Sequence, residues 1–130
     1  MAKSRWTVLT YIAAHNNLAL LGKQSLYQIV NVGSTADVVH GVLYDGPDAA
    51  GRYLIGDSGT VREQEQFDTF DGGDPDALIE TAKWLFEKQP AERYGLVLWS
   101  HGTGWTPSEI AKVAMEARPG ATNSDEPHER

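Results

Sequence analysis

The chain has 130 residues, 41% of them hydrophobic, which allows at most one domain with a modest core. Its formal net charge of −7, without a cluster of Lys or Arg, argues against nucleic acid as a partner. The chain has no Cys, which excludes a disulfide framework, and no apolar stretch reaches the length of a transmembrane helix.

The first apolar run, residues 6–14, is rich in β-branched and aromatic side chains and is typical of a buried parallel strand. Residues 15–17 form a polar turn, and the spacing of apolar residues in 18–32 then predicts a helix. Gly33 is expected to end this helix. Its inner face is predicted to carry Leu18, Leu21, Ser25, Leu26 and Ile29.

Residues 38–44 predict a second strand, which ends at a turn formed by Asp45-Gly46-Pro47. A small β-hairpin insertion is expected next, with strands at 52–55 and 60–64 around the sequence Gly-Asp-Ser-Gly. We expect this hairpin to cover the end of the sheet rather than to join its centre.

A helix is predicted from Pro75 to about Lys88, because Asp74 is a suitable N-cap and proline is favourable at the first helical position. Its inner face is predicted to carry Leu78, Ile79, Ala82, Leu85 and Phe86. The apolar run 95–99 predicts a further strand, and a short amphipathic helix follows up to Ala117. The order of these elements predicts an α/β fold, in which a parallel sheet carries helices on both faces.

The strand at 95–99 leads directly into Ser100-His101-Gly102, with another glycine at position 104. In open parallel sheets, binding and chemistry gather at the carboxyl ends of the strands, and glycines leave backbone N–H groups open to an oxyanion. His101 is therefore the main candidate for a catalytic side chain. The alternative is that it only ends the strand and bonds its own loop. Trp105 could form a wall of the cleft.

His15 and Asp45 also follow predicted strands, so they are expected at the same rim as His101. Together the three could line a substrate cleft or ligate a metal. For His15 we prefer a solvated loop position, and for Asp45 an Asx turn with the next glycine. A metal site is not expected, because no two of these candidate ligands share close helical or strand spacing. His40 and His128 are interpreted as having no functional role.

Two longer strings resemble a known family. PAERYGLVLWSHGTGW, residues 90–105, resembles the catalytic-histidine segment of the clostripain family of cysteine peptidases, within the caspase-like group of caspases, legumains and gingipains. WTVLTYIAAHNNL, residues 6–18, is similar to that family's opening strand and first helix. We interpret residues 1–105 as the N-terminal part of a clostripain-like peptidase domain. Residues 106–130 are interpreted as a short helix and a polar, disordered tail.

The resemblance implies a caspase-like sheet that is incomplete, because its later strands are missing. It implies that His101 is the imidazole of a His–Cys dyad and that the Gly102 N–H lies near the oxyanion. The nucleophilic Cys would lie on a later strand, so the chain alone is expected to be inactive. The resemblance also requires residues 95–99 to form a central, buried strand.

Several further expectations rest on the same resemblance. The full-length relative is expected to hydrolyse peptide bonds after basic residues, with calcium as the one cofactor that the family allows. The expected partner is the missing C-terminal half of the domain. The chain itself is then expected to be a truncated product or one piece of a split protein. The alternatives are a non-enzymatic α/β binding module and a small metal- or anion-binding domain that uses His15, Asp45 and His101. No signal peptide is evident, so a cytoplasmic location is assumed by default.

Overall fold

A computed structural model describes residues 3–14, 19–47, 49–68, 75–99 and 107–117 of the chain. These residues form one sheet, whose strands are β1 (Ser4–Ala13), β2 (Val38–Asp45), β3 (Ala50–Ile55), β4 (Val61–Phe67) and β5 (Ala91–Trp99). The helices of the described residues are α1 (Ala19–Val32), α2 (Pro75–Lys88) and α3 (Pro107–Glu116). The predicted α/β fold with helices on both faces is confirmed, and the predicted elements are found within a few residues of their expected bounds.

The order of the strands in the sheet is β4-β3-β2-β1-β5. Strand β1 runs parallel to both β2 and β5, whereas β3 and β4 are antiparallel to their neighbours. The sheet is therefore mixed, and the expectation that the hairpin only covers the end of the sheet was wrong. The hairpin extends the sheet beside β2, because the short connection 46–49 joins antiparallel neighbours, whereas a parallel strand would need a long crossover.

Helix α1 covers one face of the sheet through Gly22 and Leu26, which are both buried. Residues of β1, β2 and β3, together with the residue that follows β1, complete this core, namely Ile12, Ala14, Val42, Tyr44 and Ile55. The prediction that Leu21 lies on the inner face was wrong, since 53% of this residue is exposed. Gly22 lies there instead, because a Cβ atom at this position would overlap with the Cβ of Ala14. The glycine thus lets the helix approach the sheet closely.

Helices α2 and α3 cover the opposite face. All five residues predicted for the inner face of α2 are buried, and they pack on a strand layer that includes Leu9, Val39, Leu43 and Leu54. Val113 and Ala117 of the α3 segment belong to the same cluster. Gly41 of β2 leaves the space that the Leu85 side chain occupies, since a Cβ atom on this glycine would lie 2.5 Å from the leucine Cδ2.

The turn of the hairpin closes the carboxyl end of α1. Gly59 N–H donates to the Val30 carbonyl (2.8 Å), and the Ser58 hydroxyl donates to the Asn31 carbonyl (2.5 Å). These bonds satisfy helix carbonyls that have no partner within the helix. Gly33, which follows the helix, has a φ of 78°, so the predicted glycine stop is confirmed. The hairpin is therefore fixed both by strand pairing and by the end of the helix.

His40 lies on β2, and its backbone N–H donates to the Ser34 hydroxyl (2.9 Å). Burial of the imidazole lowers the pKa of His40 below its ordinary value of 6.5. The folded protein therefore holds this side chain neutral at a pH at which the unfolded chain already binds a proton.

This pKa shift predicts a loss of stability in mild acid. The contribution of His40 to the free energy of unfolding is complete above about pH 6.5 and falls as the pH decreases towards the lower pKa of the folded state. A His40→Gln variant is expected to show a flatter dependence between about pH 7.5 and pH 5.5, measured by urea unfolding. Parallel pH profiles for the variant and the original chain would contradict the prediction.

Candidate active site

The carboxyl ends of the three parallel strands lie side by side. In the register of the sheet, Ala13 of β1 lies opposite Asp45 of β2, and Ile12 lies opposite Trp99 of β5. Because neighbouring strands are about 4.8 Å apart, the segments after these strands leave the sheet within about 10 Å of one another. After β1 the chain passes to β2 on one side of β1, and it later returns to β5 on the other side. Open α/β sheets bind ligands at the carboxyl ends of the strands where the chain changes sides in this way.

This edge is the rim that the sequence predicts, and the strand ends that form it are confirmed. Four of the candidate residues lie outside the residues that the structure describes, namely His15, His101, Gly102 and Trp105. Their roles remain predictions that rest on the ends of β1 and β5.

Asp45 is the one candidate whose surroundings are described. It is the last residue of β2, only 8% of it is exposed, and it lies between Ala13 and Ala50 in the sheet. Its carbonyl accepts a hydrogen bond from the Ala14 N–H (2.8 Å), and the next turn is closed by Gly46 N–H donating to the Ala49 carbonyl (2.9 Å). Asp45 thus connects the ends of β1 and β2 through its backbone.

Trp99 fixes the end of β5 immediately before Ser100. Its side chain is partly buried against the core beneath α1. A Cβ atom on Gly22 would lie 3.5 Å from this ring, so α1 reaches the last residue of β5. The segment that carries His101 therefore begins from a strand end with a fixed position.

Strand β5 is not central among the described residues. It pairs only with β1, and its two most exposed apolar residues are Val97 (48%) and Leu98 (37%). The prediction of a central, buried strand was wrong for the sheet that these residues form. An apolar run shows that both faces of a strand favour burial, but it does not encode how many neighbouring strands provide it.

A cavity of about 560 Å³ opens along this side of β5. Its walls come from β5, α2, the α3 segment and Trp6 of β1. Its lining combines the charged Glu92 and Arg93 with uncharged residues, which include Tyr94, Leu96, Ala82, Phe86, Ala114 and Ala117. The small alanine side chains leave space beneath α3 and next to the backbone of β5.

A second cavity, of about 220 Å³, lies near the carboxyl ends of the strands. Lys23 and Tyr44 are its polar lining residues, and Leu20 is among its apolar ones. The sequence analysis missed both polar residues. The only sequence signal for these residues was their position, since Tyr44 lies beside the predicted Asp45 turn and Lys23 lies early in the predicted helix.

Among the described residues, no three His, Cys, Asp or Glu side chains are grouped so that they could hold a metal ion. None of these residues is therefore assigned to the calcium that the resemblance allows. No helix in the described ranges is long and apolar enough to cross a membrane.

The sequence profile of the Clostripain family matches residues 10–116, which is most of the chain. The chain belongs to the clostripain family. No curated protein matches it. The match includes β2, the hairpin and both helices of the second face, which the two resembling strings did not cover.

Solved structures give the same fold. A cysteine protease from B. fragilis is 29% identical with a TM-score of 0.65, and the match covers 79% of this chain and 93% of that one. A secreted C11 cysteine protease from Bacteroides thetaiotaomicron, solved with an irreversible peptide inhibitor, is 29% identical with a TM-score of 0.64. That match covers 80% of this chain but only 31% of the secreted protease.

A clostripain from Bacteroides thetaiotaomicron, solved with a peptide inhibitor, is more distant, with 18% identity and a TM-score of 0.57. The match covers 82% of this chain and 97% of that chain. The clostripain-family cysteine protease fold thus occurs both in solved chains of nearly this extent and in a chain about three times as long.

Proposed function

We propose that this chain is the histidine-bearing N-terminal part of a clostripain-like cysteine endopeptidase. The observation that carries the proposal is the position of β5 in a chain of this family. The strand ends at the rim shared with β1 and β2, and Ser100-His101-Gly102 follows it directly. In this proposal His101 is the catalytic imidazole, and the Gly102 N–H stabilises the oxyanion.

The proposed reaction needs a thiol from outside this sequence, which has no Cys. His101 accepts the proton of that thiol, and the thiolate attacks the carbonyl carbon of the peptide bond. The imidazolium then donates the proton to the leaving amine as the carbon–nitrogen bond breaks. Water, activated by the same imidazole, hydrolyses the thioester, which releases the acid and restores the thiol.

The missing C-terminal half of the domain is the proposed source of the Cys. Strand β5 offers an unpaired side in the described sheet, and the cavity of about 560 Å³ lies next to it. An added strand would hydrogen-bond to β5 and place its side chains in this cavity, with its carboxyl end beside His101 if the strand is parallel. The Cys is proposed to stand at that end.

The proposed substrate is a peptide cleaved after a basic residue. The relative from Bacteroides thetaiotaomicron that is 29% identical binds an irreversible peptide inhibitor, which supports a peptide as the ligand class. The net charge of −7 favours the approach of basic peptides. That relative is secreted. For this chain we propose a cytoplasmic location instead, and cell fractionation would test this proposal.

The chain alone is expected to show no turnover of fluorogenic peptides that end in Arg or Lys. Without a thiolate, the dyad has no nucleophile. Activity is expected only when the chain is co-expressed with the polypeptide encoded downstream of it, provided that this polypeptide contains a strand that ends in an Asp-Ala-Cys-like sequence. Turnover by the pure chain that disappears in a His101→Ala variant would refute the proposal.

A non-enzymatic module that binds a small anion is the second candidate. It is favoured by the cavity of about 220 Å³ near the carboxyl ends of the strands, whose polar lining residues are Lys23 and Tyr44. Titration with acetate and phosphate, followed by NMR at the Lys23 amide, separates the two. Saturable binding by the chain, together with no activity in the co-expressed complex, would favour the module.

A further inference from the structure

The two outer strands of the described sheet have very different edges. Strand β4 reads VREQEQF, and its Glu63 and Glu65 form ion pairs with Lys88 and Arg52. Charged residues of this kind protect an edge against pairing with another sheet. The second half of β5, Leu96 to Trp99, carries no charge, and Leu96 lines the cavity of about 560 Å³ together with residues 92–95. The unprotected edge of the sheet is therefore β5.

We infer that two copies of this chain associate by antiparallel pairing of their β5 strands, centred on Leu96. In this register, Leu96 of one copy lies opposite Leu96 of the other. Tyr94 lies opposite Leu98 of the second copy on the face of α2 and α3, and Arg93 lies opposite Trp99 on the face of α1. The inference uses only the edge of β5 and does not depend on the proposed function.

Each face of the sheet has a physical reason to accept this pairing. On the α2 side, the cavity beside Tyr94 is lined by Ala82, Phe86 and two alanines of the α3 segment, and it would receive Leu98 of the second copy. That leucine is 37% exposed in the single chain and would gain burial. On the α1 side, the guanidinium of Arg93 would meet the indole ring of Trp99, a favourable cation–π combination.

Neighbouring registers are less favourable. If the pairing were centred on Gly95, Glu92 would lie opposite Leu98, and Arg93 would lie opposite Val97. Both charges would then face aliphatic side chains, without an opposite charge or an aromatic ring across the strand pair. Centred on Val97, the described parts of the two strands would overlap over five residues, 95–99, instead of the seven from 93 to 99. The pairing centred on Leu96 is the longest one without such a mismatch.

The same edge cannot hold a second copy and a Cys-bearing strand at once. Self-pairing would therefore keep the chain in a form that excludes the proposed C-terminal half. Each copy carries a net charge of −7, so the two copies repel each other at low ionic strength. Association is expected to strengthen when salt is added, because screening weakens this repulsion while the apolar contact remains.

The absence of native Cys makes the register directly testable. Two residues opposite each other on antiparallel strands have Cβ atoms about 4.5–5.5 Å apart, close to what a disulfide requires. Under mild oxidation, a Leu96→Cys variant is expected to form a covalent dimer. A Val97→Cys variant is not expected to form one, because Val97 of one copy would lie opposite Gly95 of the other copy and not opposite its Val97. Gln64→Cys on β4 is the control for random collisions.

Sedimentation of the unmodified chain gives the second measurement, which needs no change in the core. At concentrations on the order of tens of micromolar, the mass is expected to approach twice 14.2 kDa. Val97→Glu, at a residue that is 48% exposed, is expected to restore the mass of one chain, whereas Gln64→Glu is not. A monomer at every salt concentration would overturn the inference, and so would faster cross-linking through Val97→Cys than through Leu96→Cys.

Discussion

Replacement of His101 by alanine is expected to lower kcat/KM of the reconstituted protease by about 10²–10⁴-fold, the range for loss of a general acid–base group. The assay uses the chain co-expressed with the downstream polypeptide that supplies the Cys, and a fluorogenic peptide that ends in Arg or Lys. The loss is expected mainly in kcat, because the imidazole acts on the thiol and the leaving amine and does not hold the substrate.

His128→Ala is the matched control, since His128 belongs to the polar tail and has no proposed role. This variant is expected to keep the activity of the original complex. If His101→Ala retained more than about a tenth of the activity, a general acid–base role for this residue would be excluded. Membership of the family and the fold would remain, and the search for the imidazole would move to His15 at the same rim.

The helices and strands could be predicted because local periodicity encodes them. In α2, the apolar residues recur at helical spacing between Asp74, which the sequence predicts as the N-cap, and Pro90, and all five predicted inner residues are buried. The rotation of α1 could not be read in the same way. A glycine contributes nothing to an apolar stripe, yet Gly22 faces the sheet because its missing side chain permits close contact with Ala14.

The placement of the hairpin and of β5 depends on contacts between distant parts of the chain. The hairpin turn is held against α1 by Gly59 and Ser58, which bond to carbonyls of Val30 and Asn31. Nothing in the local sequence of the turn specifies this helix end as its partner. Likewise, the apolar run of β5 indicates burial on both faces but not the number of strands beside it.

The candidate site could be predicted at the level of strand ends, because parallel strands connected through helices must end at one edge. This reasoning correctly placed the ends of β1, β2 and β5 together. It did not find Lys23 and Tyr44, which share a cavity only because α1 folds back over β2. Residues that meet through the packing of two elements leave no spacing pattern in the sequence.

Gly33→Ala is expected to lower the free energy of unfolding by about 2–5 kcal/mol, a large share of the stability of a small domain. The residue has a φ of 78°, and a left-handed backbone costs an alanine about 1–2 kcal/mol. In addition, the new Cβ atom would lie 2.5 Å from the backbone nitrogen of Ser58. This contact can be relieved only by moving the hairpin turn, which strains the bonds from Gly59 and Ser58 to α1.

Gly59→Ala separates the two contributions. Gly59 has a similar φ of 83°, but a Cβ atom there would meet no other atom within 4 Å. Its cost is therefore expected to be the backbone term alone, about 1–2 kcal/mol. Urea unfolding of both variants, followed by far-ultraviolet circular dichroism, gives the difference between them, which measures the contact of Gly33 with the hairpin. Equal losses would contradict the prediction, because the turn would then move away from α1 at no cost and its hydrogen bonds to the helix end would contribute nothing to stability.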